Sequence, residues 1–275
     1  MSLGESFLAK LESFENVGVF VKDLKKAKPF YTRKVGLALR EEDRKFGYLA
    51  LGATKGGADA DLNVWQPALS WGSEWYESGR AQIGGVTGIG FRTSNLKKTV
   101  EALKAKGVDA GIEGEDQRFG RFTDPDGNVL FLVEPAKVKV HRPGLAALAF
   151  VTVVSRDRKK AGAFFTKALG MKALREPGED ANFVSYALDP KGTAISPFTP
   201  TKEMYDDPKD YDADMAHIGE PTSIGFTTDD IYGLQEALMA KGVRFKTKAE
   251  KQTWGGVQAT FFDLDDNVYS VVQHD

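Results

Sequence analysis

The chain of 275 residues contains no cysteine. That absence removes disulfides, thiolate zinc sites, iron–sulfur clusters and cysteine nucleophiles together. Histidine is nearly as scarce, with only His141, His217 and His274. Neither sign of charge is in excess: 37 Lys+Arg against 39 Asp+Glu leave a net charge of −2, so no basic field invites nucleic acid. No apolar run approaches the roughly 20 residues of a membrane span. The opening stretch MSLGESFLAKLESF carries charges at Glu5, Lys10 and Glu12 and lacks a signal-peptide core. The expectation is a cytoplasmic protein with neither nucleic acid nor membrane as a partner.

What is present is an ordinary globular mixture, 41% apolar, 11% aromatic and 28% charged. At roughly 100–200 residues per domain, the length favours two domains. Self-similarity supports this. VFVKDLKKAKPFYTRKVGL (19–37) reappears as VVSRDRKKAGAFFTKALGM (153–171), so that Asp23, Phe30 and Gly36 align with Asp157, Phe164 and Gly170. IGFRTSNLKKTVEALKAKGV (89–108) reappears as IGFTTDDIYGLQEALMAKGV (224–243), and FTDPDGNVLFLVE (122–134) as FFDLDDNVYSVVQ (261–273). The chain is a tandem duplication, and each half is itself double. Four times a period-two apolar run, as in NVGVFV (16–21), leads to an Asp or Asn suited to an N-cap. A charged helical segment then ends at a glycine suited to the left-handed C′ position, and three short strands follow.

The expected fold is α+β: two tandem domains, each of two βαβββ units forming an eight-stranded incomplete barrel around a cleft, with the helices outside. The boundaries are an N-terminal extension (1–13), a first domain (14–136), a linker (137–144) and a second domain (145–275). The sequence leaves open whether each half pairs its own two units or exchanges them. Two long irregular stretches, 66–85 and 198–220, are candidate lids, binding loops or interface segments.

The segment VKDLKKAKPFYTRKVGL, followed by DPDGN before the last strand, resembles the vicinal oxygen chelate superfamily. That superfamily includes glyoxalase, extradiol dioxygenases, fosfomycin-resistance enzymes and bleomycin-resistance proteins. The resemblance covers about residues 14–136 and 145–275. It implies fold more than chemistry, because this fold hosts unrelated reactions and pure binding. Enzymes of the superfamily hold a divalent metal with His, Gln or Glu at four strand positions. Carried over, those positions are Asn16, Asn63, Gly88 and Phe131 in the first half, and Phe150, Ser196, Ser223 and Ser270 in the second. None is a residue of ligand type, and no histidine lies on a strand expected to line a cleft. No metal and no cofactor is therefore expected.

Strand alternation turns Val17, Val19 and Val21 to the helix side, and Asn16, Gly18 and Phe20 to the cleft. By the same rule Asp61, Asn63 and Trp65, then Gly88, Gly90 and Arg92, then Val129, Phe131 and Val133 face the cleft. The candidate ligand-binding set is Asn16, Phe20, Asn63, Trp65, Arg92 and Phe131: amides and a cation to orient a molecule, rings to stack on it. Alternatively Phe20 and Phe131 simply fill the cleft. Trp71, Trp75 and Tyr76, just beyond Trp65, form a candidate lid or interface. The second half offers smaller residues, Phe150, Thr152, Ser196, Phe198, Ser223, Thr227 and Ser270, beside an acid-rich loop.

Other chemistries lack their signatures. No Ser-His-Asp arrangement sits in a nucleophile elbow, no G-x-G-x-x-G follows a strand, and DPDGN lacks the spaced ligands of a calcium loop and reads as a turn. Catalytic residues are unassigned. Three readings stay open: a metal-free binder of a hydrophobic or aromatic small molecule in the first-half cleft; a lyase, isomerase or dioxygenase with non-standard ligands; or a structural, dimerising module with filled clefts. The assembly is expected to be a monomer with pseudo-two-fold tandem domains or a homodimer.

Overall fold

A computed structural model describes residues 9–57, 59–114, 117–135, 143–174 and 184–275. The strand–helix–three-strand pattern occurs four times. The first unit is β1 (Ser13–Phe20), α1 (Leu24–Pro29, continued by a π-helical segment Phe30–Val35), β2 (Ala38–Asp43), β3 (Tyr48–Gly52) and β4 (Asp61–Trp65). After α2 (Ser73–Ala81) comes the second unit: β5 (Gly85–Thr93), α3 (Leu96–Ala105), β6 (Asp109–Glu113), β7 (Phe119–Thr123) and β8 (Asn128–Val133). The third is β9 (Leu145–Val154), α4 (Arg158–Lys167), β10 (Lys172–Leu174), β11 (Ser185–Ala187) and β12 (Ala194–Phe198). After α5 (Pro208–Ala216) the fourth runs β13 (Pro221–Thr227), α6 (Ile231–Ala240), β14 (Phe245–Lys251), β15 (Val257–Phe262) and β16 (Val268–Gln273). The two long stretches thus hold the short helices α2 and α5.

The helix boundaries follow the local chemistry. Asp23, Asn95, Asp157 and Asp230 each accept a hydrogen bond from a free amide of the first turn. Gly36, Gly107, Gly170 and Gly242 follow the helices with positive φ, between 69° and 91°. DPDGN is a turn: Asp124 Oδ1 accepts from the amides of Asp126 and Asn128, both at 2.9 Å. Val17, Val19 and Val21 are buried on the helix side, as alternation requires. Two eight-stranded mixed sheets result, and one continuous apolar core underlies them.

The strand order settles which units pair. The first sheet runs β14-β15-β16-β13-β1-β4-β3-β2 and the second β10-β11-β12-β9-β5-β8-β7-β6. The first unit therefore joins the fourth, through antiparallel β1 and β13. The second joins the third, through β5 and β9. Units adjacent in sequence meet instead through turns and helix ends. Asn128 Nδ2 donates to the Phe20 carbonyl at 2.9 Å, and Tyr31 OH donates to Asp124 Oδ2 at 2.8 Å. The expectation of one cleft within residues 14–136 is corrected accordingly: each concave face combines strands from both halves of the chain.

Of the expected boundaries, residues 1–8 and 136–142 lie outside the described residues, and His141 with them. Leu11 is buried, and Glu12 donates its amide to the Thr227 carbonyl, so the segment just before β1 extends the central β1–β13 pairing of the first sheet. No helix among the described residues is long and apolar enough to cross a membrane.

Candidate functional site

The exchange of units divides the expected site residues. Asn16, Phe20, Asn63 and Trp65 lie together on the concave face of the first sheet. Arg92 and Phe131 lie on the second, because β5 and β8 belong there. The face that gains Asn16 and Asn63 also gains Ser223 and Ser270 from the fourth unit.

Pairing makes these four neighbours. Gly18 stands beside Asn63, and Asn16 beside Asp61, in the β1–β4 ladder. Asn16 pairs with Gly225, which pairs with Ser270. The glycines let the polar side chains lie flat on the sheet: a methyl group at Gly18 would meet Ser223 Cβ at 2.8 Å, and one at Gly225 would run into Asn16 Oδ1. Ser223 holds its place over Gly18 with φ of 56°, a left-handed conformation rare for a non-glycine residue.

One end of this floor is aromatic. Trp65 packs against Tyr48 with ring centroids 4.5 Å apart and planes tilted by 37°, and meets Trp71 edge-on at 5.7 Å. Over the same end passes α2. A methyl at its Gly79 would sit 3.1 Å from the Phe20 ring, so the helix rests directly on that residue. Farther along, Lys246 of β14 lies 5.6 Å over the Trp75 ring and 3.6 Å from Glu74. The helix thus reaches from β4 toward the opposite edge strand and roofs the cleft. Trp71 faces the aromatic wall; Trp75, under Lys246, is 47% exposed. Tyr76 interacts with Arg80 of its own helix.

The other end is acidic. A bulge between Phe14 and Asn16 interrupts the β1–β13 register and puts Glu15 on the concave face as well. Its carboxylate lies 2.6 Å from His274 Nε2. Burial pushes the Glu15 carboxyl above its ordinary value, partly offset by His274 and reinforced by Asp61 and Glu41. Asp61 is likewise raised by burial, against the opposing effect of Arg40, whose Nη1 is 2.5 Å away. Strict alternation skips Glu15, and His274 follows the last strand, so neither was among the expected cleft residues. His217 bonds Glu220 at 3.0 Å outside this face.

The second sheet differs. The Phe150 ring lies directly on Gly90, where even a methyl group would clash with it, and Phe131 pairs with Gly90 from the other side. Ser196 is bonded to Ser185 at 2.7 Å.

The description of the Glyoxalase/Bleomycin resistance protein/Dioxygenase superfamily matches residues 13–132 and 147–270. The chain belongs to this superfamily. The Bacillus subtilis protein named "Uncharacterized protein YetH" is 31% identical over 129 residues, which is 45% of this chain and 99% of that protein. Among solved structures, glyoxalase I from Zea mays superposes with a TM-score of 0.64 at 17% identity, covering 96% of this chain and 92% of that one. A Bacillus subtilis protein titled "putative dioxygenase" gives 0.61 at 14% identity, over 96% and 86%. At those identities the two structures establish the fold alone.

Carried over by the resemblance, the superfamily's metal-ligand positions on the first sheet would correspond to Asn16, Asn63, Ser223 and Ser270. These supply amide and hydroxyl oxygens, all neutral. A first-row divalent ion needs imidazole, carboxylate or thiolate donors, and this set does not fit one. Among the described residues no group of three or more His, Asp or Glu is arranged to hold a metal.

Proposed function

We propose that the first sheet's cleft binds a planar or amphipathic organic molecule without a metal ion. One observation carries the reading: four neutral hydrogen-bonding side chains, Asn16, Asn63, Ser223 and Ser270, are gathered on one sheet face, directly beside an aromatic wall built on Trp65. Aromatic faces contribute contact area, and a few polar groups fix orientation, which is the usual construction of a small-molecule site. Phe20 and α2 close one end against water. Asn16, Asn63, Ser223 and Ser270 replace coordination with directional hydrogen bonds. Each sheet is complete within one chain, so a monomer suffices to form the cleft.

On the second sheet, the Phe150 ring seated on Gly90 beside Phe131 supports a filled, structural cleft. The reading is therefore one binding site per chain.

The test is a thermal-melting screen of chelator-treated protein against aromatic and amphipathic compounds. A ligand that binds only the native state raises the melting temperature by mass action. The expected result is a shift for at least one compound class, lost in Trp65→Ala and unaffected by chelator. Shifts that appear only after a divalent metal is restored would contradict the reading.

A further inference from the structure

The segment between β4 and β5, which carries α2 over the first sheet, is tied down only at its ends. On one side the Gln66 amide donates to the Gly47 carbonyl at 3.0 Å, and Gln66 Oε1 accepts from the Leu24 amide at 3.0 Å. On the other, the Gly84 amide donates to Asn128 Oδ1 at 2.8 Å and the Gly85 amide to the Gly127 carbonyl at 3.0 Å. Among the described residues, every hydrogen bond made by residues 67–83 stays inside that segment. What crosses to the body is Trp71 edge-on against Trp65, Gly79 on the Phe20 ring, and Lys246 against Trp75 and Glu74. Gly79 is the one buried residue of the seventeen.

The ends of α2 are built to turn. Gly72, before its first residue, has φ of 92° and no side-chain cap, and Gly84, beyond its last turn, has φ of 89°. A helix of nine residues has little stability of its own. Few buried contacts and no hydrogen bond to the body put such a segment at the low end of local stability. On the floor that α2 roofs, Asn63 is 9% exposed and its Oδ1 is shut away from water. That part of the floor is closed to a ligand as the face stands.

Building on the binding reading above, we propose that residues 67–83 are a hinged lid. The segment swings off the first sheet about Gly72 and Gly84 to admit a planar amphipathic molecule and returns over it, with Gly79 on Phe20 as its seat. The anchors at Gln66 and Asn128 hold throughout, so opening breaks no hydrogen bond to the body. Ligand entry waits on the movement of the lid.

Native-state hydrogen exchange tests the hinge without a ligand. The amides of α2 are expected to exchange together, at least about a hundredfold faster than those of β1 and β4, and at a rate indifferent to low urea. Amides in α2 as strongly protected as those of β4 would overturn the proposal. The absence of cysteine permits a lock as well: Glu74→Cys with Lys246→Cys, joined by bismaleimidoethane, pins α2 to β14. Binding of anilinonaphthalene sulfonate, a planar amphipathic probe, is followed by stopped-flow fluorescence. The unjoined variant is expected to bind at least as fast as the wild type, and the joined one at least about tenfold more slowly.

A joined protein that takes up the probe as fast as the unjoined one would overturn the lid and leave the binding reading standing. If the probe binds none of these forms at millimolar concentration, or binds Trp65→Ala as it binds the wild type, the binding reading falls and the lid's role in entry with it.

Discussion

The side-chain amide of Asn128 donates to the main-chain carbonyl of Phe20, 2.9 Å away on the other sheet. Asn128 also donates to Asp124 Oδ2 and accepts from the Gly84 amide, each at 2.8 Å. The fourth unit repeats the device: Asn267 donates to the Val154 carbonyl at 3.1 Å and to Asp263 Oδ2 at 2.9 Å, and accepts from Gly219. Two buried amides therefore join sequence-adjacent units that do not share a sheet.

Removing either amide leaves several buried polar atoms unpaired. Asn128→Ala and Asn267→Ala should each cost at least about 2 kcal/mol, read as a lower urea midpoint. A loss within a few tenths of a kcal/mol would mean that these joints are dispensable.

The fold was legible because the same local signals occur four times. Asp23, Asn95, Asp157 and Asp230 marked helix starts, and four glycines marked the ends. The partner of each unit was not legible, because the exposed edges of β1, β5, β9 and β13 carry similar alternating patterns. Strand alternation puts Asn16, Asn63 and Trp65 on one face, and the strand order keeps them on one sheet. It grouped Arg92 and Phe131 with them only through the assumption that neighbours in sequence share a sheet. Ser223 and Ser270 stood at recognised positions but were counted in the other half. Glu15 was missed because a bulge breaks the period-two rule at that residue.

Glu15 also predicts a pH dependence. Its folded-state carboxyl value is raised above the ordinary one near 4.5, mainly by burial. A raised carboxyl value means that the protonated form is favoured by folding, so this contribution is full at low pH and lost as pH rises through the folded value. Glu15→Gln should therefore melt higher than wild type at pH 7, with the difference vanishing as pH falls below about 4.5. A variant less stable than wild type at pH 7 would show that the His274 contact outweighs the burial cost.

Lys246 touches the roof through Trp75 and through Glu74, whose side chain is 82% exposed, so the two contacts together contribute no more than about 1 kcal/mol. Lys246→Ala should leave the melting temperature nearly unchanged while speeding amide exchange across α2 and increasing acrylamide quenching of tryptophan. Unchanged exchange and quenching would place the hold on α2 elsewhere, at Gly79 against Phe20.

On the proposed reading, Asn16, Asn63, Ser223 and Ser270 offer a ligand hydrogen bonds in place of metal coordination. Its most direct test is the metal content of protein purified without added metal, measured by elemental mass spectrometry against matched buffer. The prediction is no iron, manganese, nickel or zinc above background. About one equivalent of any of them per chain would contradict the claim, since these four neutral side chains could not have held it.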